Sequence, residues 1–302
     1  MSSSDAPFRC GYVAIVGWPN VGKSTLLNAL LGVKLSIVTP KPQTTRQSIL
    51  GILNEPQVQL IFLDTPGWLD AHNPYETFLK KSVHRSVYDD ADLIVWLMDP
   101  KIPEEKDKLL AKKLAGINKP LFVIVNKCDL LNKSDIIASI NQEINSLISS
   151  EFHFGVISAK TKKGISELKK KVISALPVSP PYFPTDQLTD RWERFYVSEL
   201  LREAIFKQYH DEIPHACAIS IEEFREREGQ KDFIKATIFV ETESQKGILI
   251  GQKARSLRQL GQATREEIEK TLGREIYLEI NVKVKKAWRK DAEFIKTLFQ
   301  EY

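Results

Sequence analysis

The chain has 302 residues, of which 42% are hydrophobic and 27% charged, and its net charge is +4; this is an ordinary composition for a globular protein of one or two domains. Its three cysteines, Cys10, Cys128 and Cys217, are far apart, which argues against a disulfide framework and against a zinc site. No apolar run approaches the roughly 20 residues of a membrane span, and the N-terminal stretch MSSSDAPFRC has no signal-peptide core. We therefore expect a cytoplasmic protein.

Apolar runs alternate with helical patterns over residues 11–176. The runs predicted as strands are YVAIV (12–16), SILGILN (48–54), VQLIFLD (58–64), LIVWLMD (93–99), LFVIVN (121–126) and HFGVIS (153–158). The segments predicted as helices are Ser24–Leu31, Pro74–Tyr88, Glu104–Ile117, Ser134–Ile148 and Ile165–Leu176. Most runs are almost wholly apolar, as strands buried on both faces of a parallel sheet are. The alternation predicts a doubly wound α/β domain over residues 1–176, with 48–54 antiparallel to 58–64.

A proline-rich stretch, PVSPPYFPTD, follows at residues 177–186. Proline fixes φ and lacks an N–H group, so its frequency here excludes a helix or a central strand. We predict a stiff, extended linker over residues 177–189.

The remaining residues, 190–302, follow another order of elements. The predicted helices are Asp190–Tyr209, Lys246–Thr271 with an interruption at GQKA, and Lys290–Phe299. The predicted strands are 216–226, 232–241 and 274–284. This order predicts a small α+β domain. Residues 245–302 carry 13 Lys/Arg against 8 Asp/Glu, a net charge of +5, which suits a polyanion or simply a solvated helix surface.

The stretch GWPNVGKS, residues 17–24, comes directly after the first strand. Gly17 and Gly22 let the backbone approach a ligand, and the N–H groups at the start of the next helix attract anions. Lys23 can reach the β and γ phosphates of a nucleotide, and the Ser24 hydroxyl can bind Mg²⁺. A plain tight turn needs glycine but not Lys and Ser at these offsets, so we predict a phosphate-binding loop. Its other predicted contacts are Asn20, Val21 and Thr25.

The stretch NKCD, residues 126–129, predicts which base is bound. Asp129 can accept hydrogen bonds from the ring N–H and the amine of guanine, and adenine offers no matching pair. Asn126 would tie neighbouring loops together, and the stem of Lys127 would pack along the base. Alone, NKCD can also be a surface turn; on the same sheet as the phosphate loop it predicts a guanine nucleotide. The stretch SAK, Ser158 to Lys160, ends the next run, where the Ala159 N–H is expected to meet the guanine carbonyl.

Two further segments predict the metal site. In DTPG, residues 64–67, Asp64 can hold Mg²⁺ through a water and the Gly67 N–H can contact the γ phosphate. KPQTTRQ, residues 41–47, is a candidate switch loop in which Thr44 or Thr45 would bind the metal, and we favour Thr45. An ordinary exposed loop is the alternative. The predicted magnesium ligands are Ser24, Thr45 and Asp64.

In this order, GWPNVGKS, DTPG, NKCD and SAK are similar to the motifs of the translation-factor-related GTPases. PKPQTTRQ, PPYFPTDQLTD, SELLREAIF and DEIPHACAISIEEF resemble the Era family within that group. The similarity covers nearly the whole chain. It implies a P-loop GTPase domain followed by a type II KH domain, which binds small-subunit ribosomal RNA near its 3′ end and assists maturation of the 30S subunit.

The hydrolytic step departs from that of many small GTPases, because Trp68 stands after DTPG where they have a glutamine that orients water. We predict slow intrinsic hydrolysis, with the attacking water held by backbone groups or by a partner. The residues expected to support it are Lys23, Asn20, Thr45 and Gly67. The resemblance also implies that Asn20 coordinates a potassium ion, a second candidate cofactor beside Mg²⁺; an Asn20 that caps the loop backbone is the alternative.

The stretch ILIGQKARSLRQLG, residues 248–261, resembles the core of a KH domain. There, a GxxG turn between two helices holds the backbone of about four nucleotides. Alanine stands at the second glycine position, which leaves less room for a phosphate. The RNA-binding residues implied are Gly251, Gln252, Lys253, Ala254, Arg255 and Arg258. An amphipathic helix with a basic solvated face is the alternative.

We therefore expect a monomer that binds GTP, GDP and small-subunit ribosomal RNA. Two alternatives stay open. In the first, the basic C-terminal domain, with KKAWRK at 285–290, binds a protein or an anionic membrane surface, and the protein is peripheral at the inner face of the cell membrane. In the second, the phosphate loop serves an NTPase without base specificity.

Overall fold

The computed structural model describes residues 7–39, 44–46, 49–68, 71–131, 135–189 and 193–300. Of the predicted switch loop 41–47, only residues 44–46 are among them. The first residues of the predicted segments 48–54, Ser134–Ile148 and Asp190–Tyr209 also lie outside the described residues. The chain divides into two compact units: unit 1 is Met1–Asp70 with Phe78–Asp190, and unit 2 is Ala71–Thr77 with Arg191–Tyr302.

Unit 1 contains one six-stranded sheet among its described residues. The strands are β1 Arg9–Val16, β2 Ile49–Glu55, β3 Val58–Asp64, β4 Leu93–Met98, β5 Leu121–Val125 and β6 His153–Val156. The helices are α1 Lys23–Leu31, α2 Pro74–Arg85, which begins in the segment of unit 2, α3 Glu105–Ala115, α4 Asp135–Leu147 and α5 Ile165–Ala175. The sheet order is β2-β3-β1-β4-β5-β6, and only β2 runs antiparallel to its neighbour. The predicted doubly wound fold is confirmed.

The central strands of this sheet are formed by almost wholly apolar runs, because both faces of these strands are buried. Every residue of β4 and β5 is buried, which is why neither strand shows polar alternation. The loops after β1, β3 and β5 leave the sheet at the carboxyl ends of parallel strands, where open α/β sheets bind ligands. The motifs at residues 17–24, 64–67 and 126–129 therefore meet at one edge of the sheet.

The proline-rich stretch 177–189, predicted as a linker, lies along the edge of the sheet in unit 1. The Ile52 N–H of β2 donates a hydrogen bond to the Leu188 carbonyl at 2.7 Å. The side-chain carbonyl of Gln59 accepts one from the Tyr182 N–H at 2.8 Å. Since β2 is the outer strand, the first bond satisfies a backbone N–H that an exposed edge would leave unpaired. The second bond ties the stretch to a side chain of β3. Sequence pattern alone did not indicate these contacts.

Unit 2 is the predicted small α+β domain. Its strands are β7 Ala218–Arg225, β8 Asp232–Val240 and β9 Ile276–Val284, and its helices are α6 Glu193–Gln208, α7 Ile213–Ala216, α8 Glu243–Ile250, α9 Arg255–Leu272 and α10 Ala292–Gln300. β8 lies between β7, which is antiparallel to it, and β9, which is parallel. The helix α8 begins three residues before the predicted start, because the Thr242 side chain accepts a hydrogen bond from the Gln245 N–H at 3.2 Å and caps the helix. The sequence did not predict the short helix α7, because four residues are too few to show a helical period.

Residues 71–77 belong with unit 2, whereas the sequence pattern placed them in the first domain, residues 1–176. Tyr75 is 4% exposed. Its ring lies 5.2 Å from that of Trp288 and 5.8 Å from that of Phe299, measured between centroids. Burial of this ring explains why the segment packs with residues distant in sequence.

Among the described helices, none combines the length and the apolar character needed to cross a membrane.

Candidate functional site

A cavity of about 580 Å³ lies where the loops after β1, β3 and β5 meet, a size typical of small-molecule sites. The predicted residues that line this unit 1 cavity are Asn20, Gly22, Lys23, Ser24, Thr25, Thr45, Gly67, Asn126, Lys127, Asp129, Ala159 and Lys160. Further lining residues, which were not among the predicted nucleotide contacts, are Pro19, Ile37, Val38, Thr39, Thr44 and Leu130. The other predicted residues, Gly17, Val21, Asp64 and Ser158, do not line it but bond to residues that do.

Two glycines give the loop after β1 its shape. At Gly17, where φ is 148°, a Cβ atom would lie 2.3 Å from the Leu97 carbonyl oxygen. At Gly22, where φ is 99°, a Cβ atom would lie 2.4 Å from the Asn126 side-chain nitrogen. Any side chain at either position would collide, so the loop can pass close to its neighbours only with glycine. The helix α1 then begins at Lys23 and directs its N–H groups toward the cavity.

Lys23 is held in place by the loop that it follows. It is only 6% exposed, and its Nζ donates to the carbonyls of Gly17 at 3.1 Å and Trp18 at 3.0 Å. Burial lowers the pKa of Lys23 to about 8, and the nearby Asp64 carboxylate opposes that shift. An anion bound in the cavity would stabilise the charged form of Lys23 and so oppose the effect of burial on its pKa.

The three predicted metal ligands, Ser24, Thr45 and Asp64, lie together near this lysine. The Ser24 Oγ lies 2.9 Å from the Thr45 Oγ1 and donates to the Asp64 Oδ2 at 2.8 Å. Burial raises the pKa of Asp64, while Lys23 and the hydroxyl hydrogen bonds act in the opposite direction. Among the described residues, nothing donates a hydrogen bond to the buried Asp64 Oδ1. Two hydroxyls and a carboxylate with spare acceptor capacity are ligands that suit a hard divalent cation such as Mg²⁺.

The structure separates the two threonines of the candidate switch loop. Thr45 is buried beside Ser24, whereas the Thr44 Oγ1 lies 2.7 Å from the Thr39 Oγ1. Thr45 is therefore the threonine that the fold brings beside Ser24 and Asp64, the other two predicted metal ligands; that it binds the metal stays a prediction.

Ser36 belongs to the same cluster, and no motif in the sequence marks it. Its side chain is 1% exposed, and its Oγ donates to the Asp64 Oδ2 at 3.0 Å. Asn28 of α1 fixes the backbone there, because its Oδ1 accepts from the Ser36 N–H at 2.9 Å and its Nδ2 donates to the Ser36 carbonyl at 2.7 Å. Ser36 thus helps to fix the orientation of the Asp64 carboxylate. Only the folded arrangement of distant segments could show this role.

Asn126 joins the phosphate loop to the SAK loop, as we expected. Its Nδ2 donates to the Val21 carbonyl at 2.8 Å, and its Oδ1 accepts from the Ala159 N–H at 2.9 Å. The Ala159 N–H, which we expected to meet the guanine carbonyl, is therefore bonded to Asn126 in this structure. The bonds hold three chain segments around one corner of the cavity.

The acceptor proposed for guanine is also present at the cavity wall. The Asp129 Oδ1 accepts from the Ser158 Oγ at 2.5 Å, and this bond lowers the pKa of Asp129. Asp129 therefore stays ionised and presents acceptors to a base with two donors. Lys127 lines the cavity beside it, with a left-handed backbone at φ 61° and its Nζ 2.8 Å from the Asp99 Oδ1.

The side chain of Trp68 is turned away from the cavity. The Trp68 N–H donates to the Gly17 carbonyl at 3.0 Å. Its ring packs against the core of unit 1, with the Lys113 Nζ 5.5 Å from the ring centroid. The residue that follows DTPG thus bonds to the phosphate loop, and it places no polar group in the cavity.

Asn20, by contrast, lines the cavity and has a left-handed backbone at φ 66°.

In unit 2, the loop between α8 and α9 carries most of the predicted RNA-binding residues. A Cβ atom at Gly251 would lie 2.3 Å from the Ser256 Oγ, so this glycine is required. Lys253 and Ala254 both have left-handed backbones, at φ 51° and 58°. The Arg258 Nη2 donates to the Lys253 carbonyl at 2.6 Å, so the arginine predicted to meet phosphate also holds the loop.

A groove of about 760 Å³ begins at this loop and runs between α9 and β9. Of the predicted residues, Ala254 and Arg258 line it, while Gly251, Gln252, Lys253 and Arg255 do not. Its other lining residues were not predicted from the sequence; they are Lys231, Leu257, Gly261, Gln262, Arg265, Ile276, Tyr277, Leu278 and Ile280. Those on α9 recur at helical spacing, a signal that can also mark an ordinary surface helix. Among the described residues that line this unit 2 groove, three are cationic and none is acidic.

Comparison with known proteins gives matches for both units. Residues 12–127 match the family described as "50S ribosome-binding GTPase", and residues 212–289 match the KH domain family. "GTPase Era" of Elusimicrobium minutum is 43% identical over 286 residues, which are 95% of each chain. "GTPase Era" of Geobacter metallireducens is 42% identical over 300 residues, 98% of this chain and 99% of the relative. "GTPase ERA1, chloroplastic" of Zea mays is 41% identical and matches 96% of this chain and 70% of its own length.

Two crystal structures are similar over the whole fold. One is an Era variant of Aquifex aeolicus bound to GDP and AlF4⁻; its TM-score is 0.92 at 35% identity, with 96% of this chain and 99% of that chain covered. The other is Era in complex with MgGDPNP and nucleotides 1506–1542 of 16S ribosomal RNA; its TM-score is 0.92 at 35% identity, with coverage of 96% and 98%.

Proposed function

The chain belongs to the Era family of GTPases, and we propose that its unit 1 cavity holds GTP with Mg²⁺ while its unit 2 groove holds ribosomal RNA. It is a GTPase with a KH-type RNA-binding domain, and it acts in ribosome assembly. One observation carries the assignment of residues: Lys23, the Ser24–Thr45–Asp64 oxygen cluster and Asp129 are arranged around a single cavity of about 580 Å³.

In the proposed complex, the triphosphate lies along the N–H groups of residues 17–25, at the start of α1. The Lys23 ammonium, now bonded to two backbone carbonyls, contacts the β and γ phosphates. Ser24, Thr45 and Asp64 hold Mg²⁺, which neutralises phosphate charge when bound; the Era structure with 16S RNA contains MgGDPNP. Ser36 keeps the Asp64 carboxylate turned toward this position.

Asp129 is proposed to select guanine, and its neighbours Asn126, Lys127 and Ala159 to position the base. The test is competition of GTP and ATP for the full chain, with Asp129→Asn alongside. Wild-type protein is expected to prefer GTP strongly, because ATP leaves the carboxylate without donors. The side-chain amide that this substitution introduces would donate to the C2 carbonyl of xanthine, so the variant is expected to lose GTP and accept xanthosine triphosphate. Equal competition by ATP and GTP in the wild type would contradict the proposal.

We propose slow intrinsic hydrolysis, in which backbone groups at Thr45 and Gly67 position the water because Trp68 packs elsewhere. Asn20 is proposed to hold a potassium ion near the phosphates, and its place on the cavity wall supports this. GTP turnover in KCl and in NaCl, for wild type and Asn20→Asp, tests the ion. Equal rates in the two salts would exclude potassium, and the GTPase assignment would be unaffected.

For unit 2, we propose binding of small-subunit ribosomal RNA near its 3′ end; the related Era complex contains nucleotides 1506–1542 of 16S ribosomal RNA. The loop of residues 251–254 would hold the backbone, with Lys253 and Arg255 contacting phosphates. Lys253→Ala is expected to weaken binding of that RNA fragment and to reduce its salt dependence by about one unit of slope. Gly251→Asp is expected to be more damaging, since its side chain meets Ser256 and adds negative charge. If neither variant changes RNA affinity, the binding surface lies elsewhere.

The contacts of KKAWRK argue for RNA over a membrane surface. Trp288 is completely buried, so it cannot anchor in lipid. Lys285 lies 2.7 Å from Asp291, and Arg289 pairs with Glu241. We propose a cytoplasmic monomer, and sedimentation with anionic vesicles, with and without competing RNA, tests the alternative. Vesicle binding that RNA does not displace would favour the membrane.

A further inference from the structure

Three side chains form a stack on the face of the unit 2 sheet that carries the odd-numbered residues of β8 and β9. Phe233 of β8 and Tyr277 of β9 are direct neighbours in the parallel register. Their rings are nearly parallel, with an interplanar angle of 12° and centroids 5.9 Å apart. The Arg227 guanidinium lies over the Phe233 ring, 5.1 Å from its centroid. The stack therefore runs across the strands, from Arg227 to Tyr277.

The stack ends at the edge of the sheet. The sheet order is β7-β8-β9, so among the described residues no strand continues it beyond β9. Tyr277 is 57% exposed and lines the unit 2 groove. A flat group bound in the groove, beside the edge of β9, could therefore extend the stack by packing on the Tyr277 ring.

The groove has the charge of a nucleic-acid site at this end. Lys231 lines it next to Tyr277, and Arg258 and Arg265 line it from α9. Lys231 is partly neutralised by Glu275 at 3.5 Å, whereas the lining itself contains no acidic residue among those described. An aromatic face beside a cationic groove is the combination that binds single-stranded nucleic acid, in which bases stack and phosphates meet Lys and Arg.

A simpler role for Tyr277 would be to cover Phe233. That role requires apolar contact area but no ring, so leucine could replace tyrosine in it. A stacking role requires the flat ring, so phenylalanine could replace tyrosine but leucine could not. The two roles therefore predict different results for two substitutions at one position.

We propose that Tyr277 is a stacking platform for one base of single-stranded RNA, at the β9 edge of the groove and apart from the backbone contacts of the loop 251–254. The proposal rests on the proposed RNA binding of unit 2 and adds a base contact to it. Phe233 and Arg227 hold the ring upright. The platform is tolerant of base identity, because every base has a flat face.

The test is binding of the full chain to the RNA fragment 1506–1542 of 16S ribosomal RNA, for wild type, Tyr277→Phe and Tyr277→Leu. Tyr277→Phe is expected to bind as the wild type does. Tyr277→Leu is expected to bind about 5- to 150-fold more weakly, the usual contribution of one stacked base. Far-UV circular dichroism spectra and denaturant unfolding midpoints are expected to be the same in all three, which shows that the variants are folded; GTP turnover without RNA, which depends on unit 1, is expected to be unchanged.

Placing 2-aminopurine singly at each position of the unpaired RNA locates the base. One position is expected to be quenched by the wild type and by Tyr277→Phe, and not by Tyr277→Leu. An abasic residue at that position should weaken wild-type binding and leave Tyr277→Leu unchanged. Equal RNA affinity of Tyr277→Leu and wild type, or no position that responds to the substitution, would overturn the platform.

Gly251→Asp separates this proposal from the one on which it rests. If Gly251→Asp weakens RNA binding and Tyr277→Leu does not, then no base stacks on Tyr277, and the proposed RNA binding by unit 2 still holds. If the wild type itself does not bind the fragment, both proposals fail.

Discussion

At the scale of single residues, Lys23 and Asp64 are the two buried charges of the unit 1 cavity. Burial lowers the pKa of Lys23 and raises the pKa of Asp64, and so favours the neutral form of each, while their mutual attraction acts in the opposite direction. Such an arrangement is costly without a ligand and favourable with one, because a triphosphate and a divalent cation supply the missing opposite charges. The cavity is thus prepared electrostatically for its ligand.

The pKa of Lys23 predicts proton uptake when a nucleotide binds. Without nucleotide the pKa is lowered to about 8, so at pH 8.5 much of Lys23 is neutral; bound phosphates raise that pKa and a proton is taken up. GDP affinity should therefore fall as pH rises above about 8 and be steady below it. Calorimetry at pH 8.5 in buffers of different ionisation enthalpy, with EDTA to remove Mg²⁺, measures the uptake.

A Lys23→Arg variant is the control for this linkage, since arginine stays protonated at pH 8.5. If the variant retains GDP binding, it should show no uptake. Wild-type binding with no buffer dependence would contradict the lowered pKa.

Ser36 predicts a specific defect in metal binding. Ser36→Ala removes the hydrogen bond to the Asp64 Oδ2, and the loss of such a bond behind a metal ligand typically costs about 10- to 100-fold in metal affinity. Release of fluorescent GDP, followed as Mg²⁺ is titrated, should show a midpoint raised by that factor. GDP binding in EDTA should hardly change.

The matched control is Ser198→Ala, which removes another buried hydroxyl, bonded to the Phe195 carbonyl in unit 2. It should leave the Mg²⁺ midpoint as in the wild type. An unchanged midpoint in Ser36→Ala would show that Asp64 needs no support from Ser36.

At the scale of elements, the ends of strands and helices carry the chemistry. Loops that follow β1, β3 and β5 meet because their strands are parallel in one sheet, in which β3 is next to β1 and only β4 separates β1 from β5. In unit 2, the turn from α8 to α9 is possible because Gly251, Lys253 and Ala254 all have positive φ. A left-handed backbone is unstrained for glycine but costs roughly 1 kcal/mol or more for an alanine. The turn therefore stores strain at Ala254.

Ala254→Gly is expected to relieve this strain. Glycine also gains entropy in the unfolded chain, so the net change should lie between zero and a gain of about 1 kcal/mol in unfolding free energy. RNA affinity should be equal or higher, because removal of the Cβ gives a phosphate more room. Denaturant unfolding and RNA titration measure the two quantities.

The control is Ala263→Gly, at an exposed position within α9. There the same substitution should cost about 1 kcal/mol, as glycine does inside a helix. Equal destabilisation by both substitutions would contradict the strained turn at Ala254.

At the scale of the whole molecule, the chain passes from unit 1 to unit 2 and back before it enters unit 2 finally. Residues 71–77 follow DTPG almost directly and belong to unit 2, whereas Phe78 returns to unit 1. The segment proposed to contact the γ phosphate and the segment that holds Tyr75 are therefore covalently continuous. We expect a rearrangement of residues 65–68 during the GTP cycle to reach unit 2 along this connection.

Tyr75→Ala tests the anchor. The ring is buried against Trp288 and Phe299, so its removal should lower the stability of unit 2 by about 3–5 kcal/mol, as truncation of a buried aromatic residue does. Hydrogen exchange of the α10 amides should accelerate accordingly. The difference in RNA affinity between the GTP and GDP states should also decrease.

Tyr182→Ala serves as the control, because that ring is 47% exposed on unit 1. It should leave the exchange of α10 unchanged. Unchanged exchange of α10 in Tyr75→Ala would mean that the anchor does not stabilise unit 2.

The sequence by itself determined the parts of this protein whose chemistry lies within short contiguous segments. GWPNVGKS, DTPG, NKCD and SAK each place their groups at fixed offsets along one loop, and the strand–helix alternation sets those loops at one edge of a parallel sheet. The α/β fold and the family could be predicted from such local patterns, and the nucleotide-binding roles of Lys23 and Asp129 are predictions that rest on the same patterns.

Only the tertiary structure decided which distant residues support those segments. Ser36 reaches Asp64, Leu188 bonds to the edge of β2, Tyr75 packs against Trp288, and Tyr277 stacks on a ring of another strand. None of these contacts has a sequence period or motif. Each depends on the packing of chain segments far apart in sequence, and local spacing does not specify that packing.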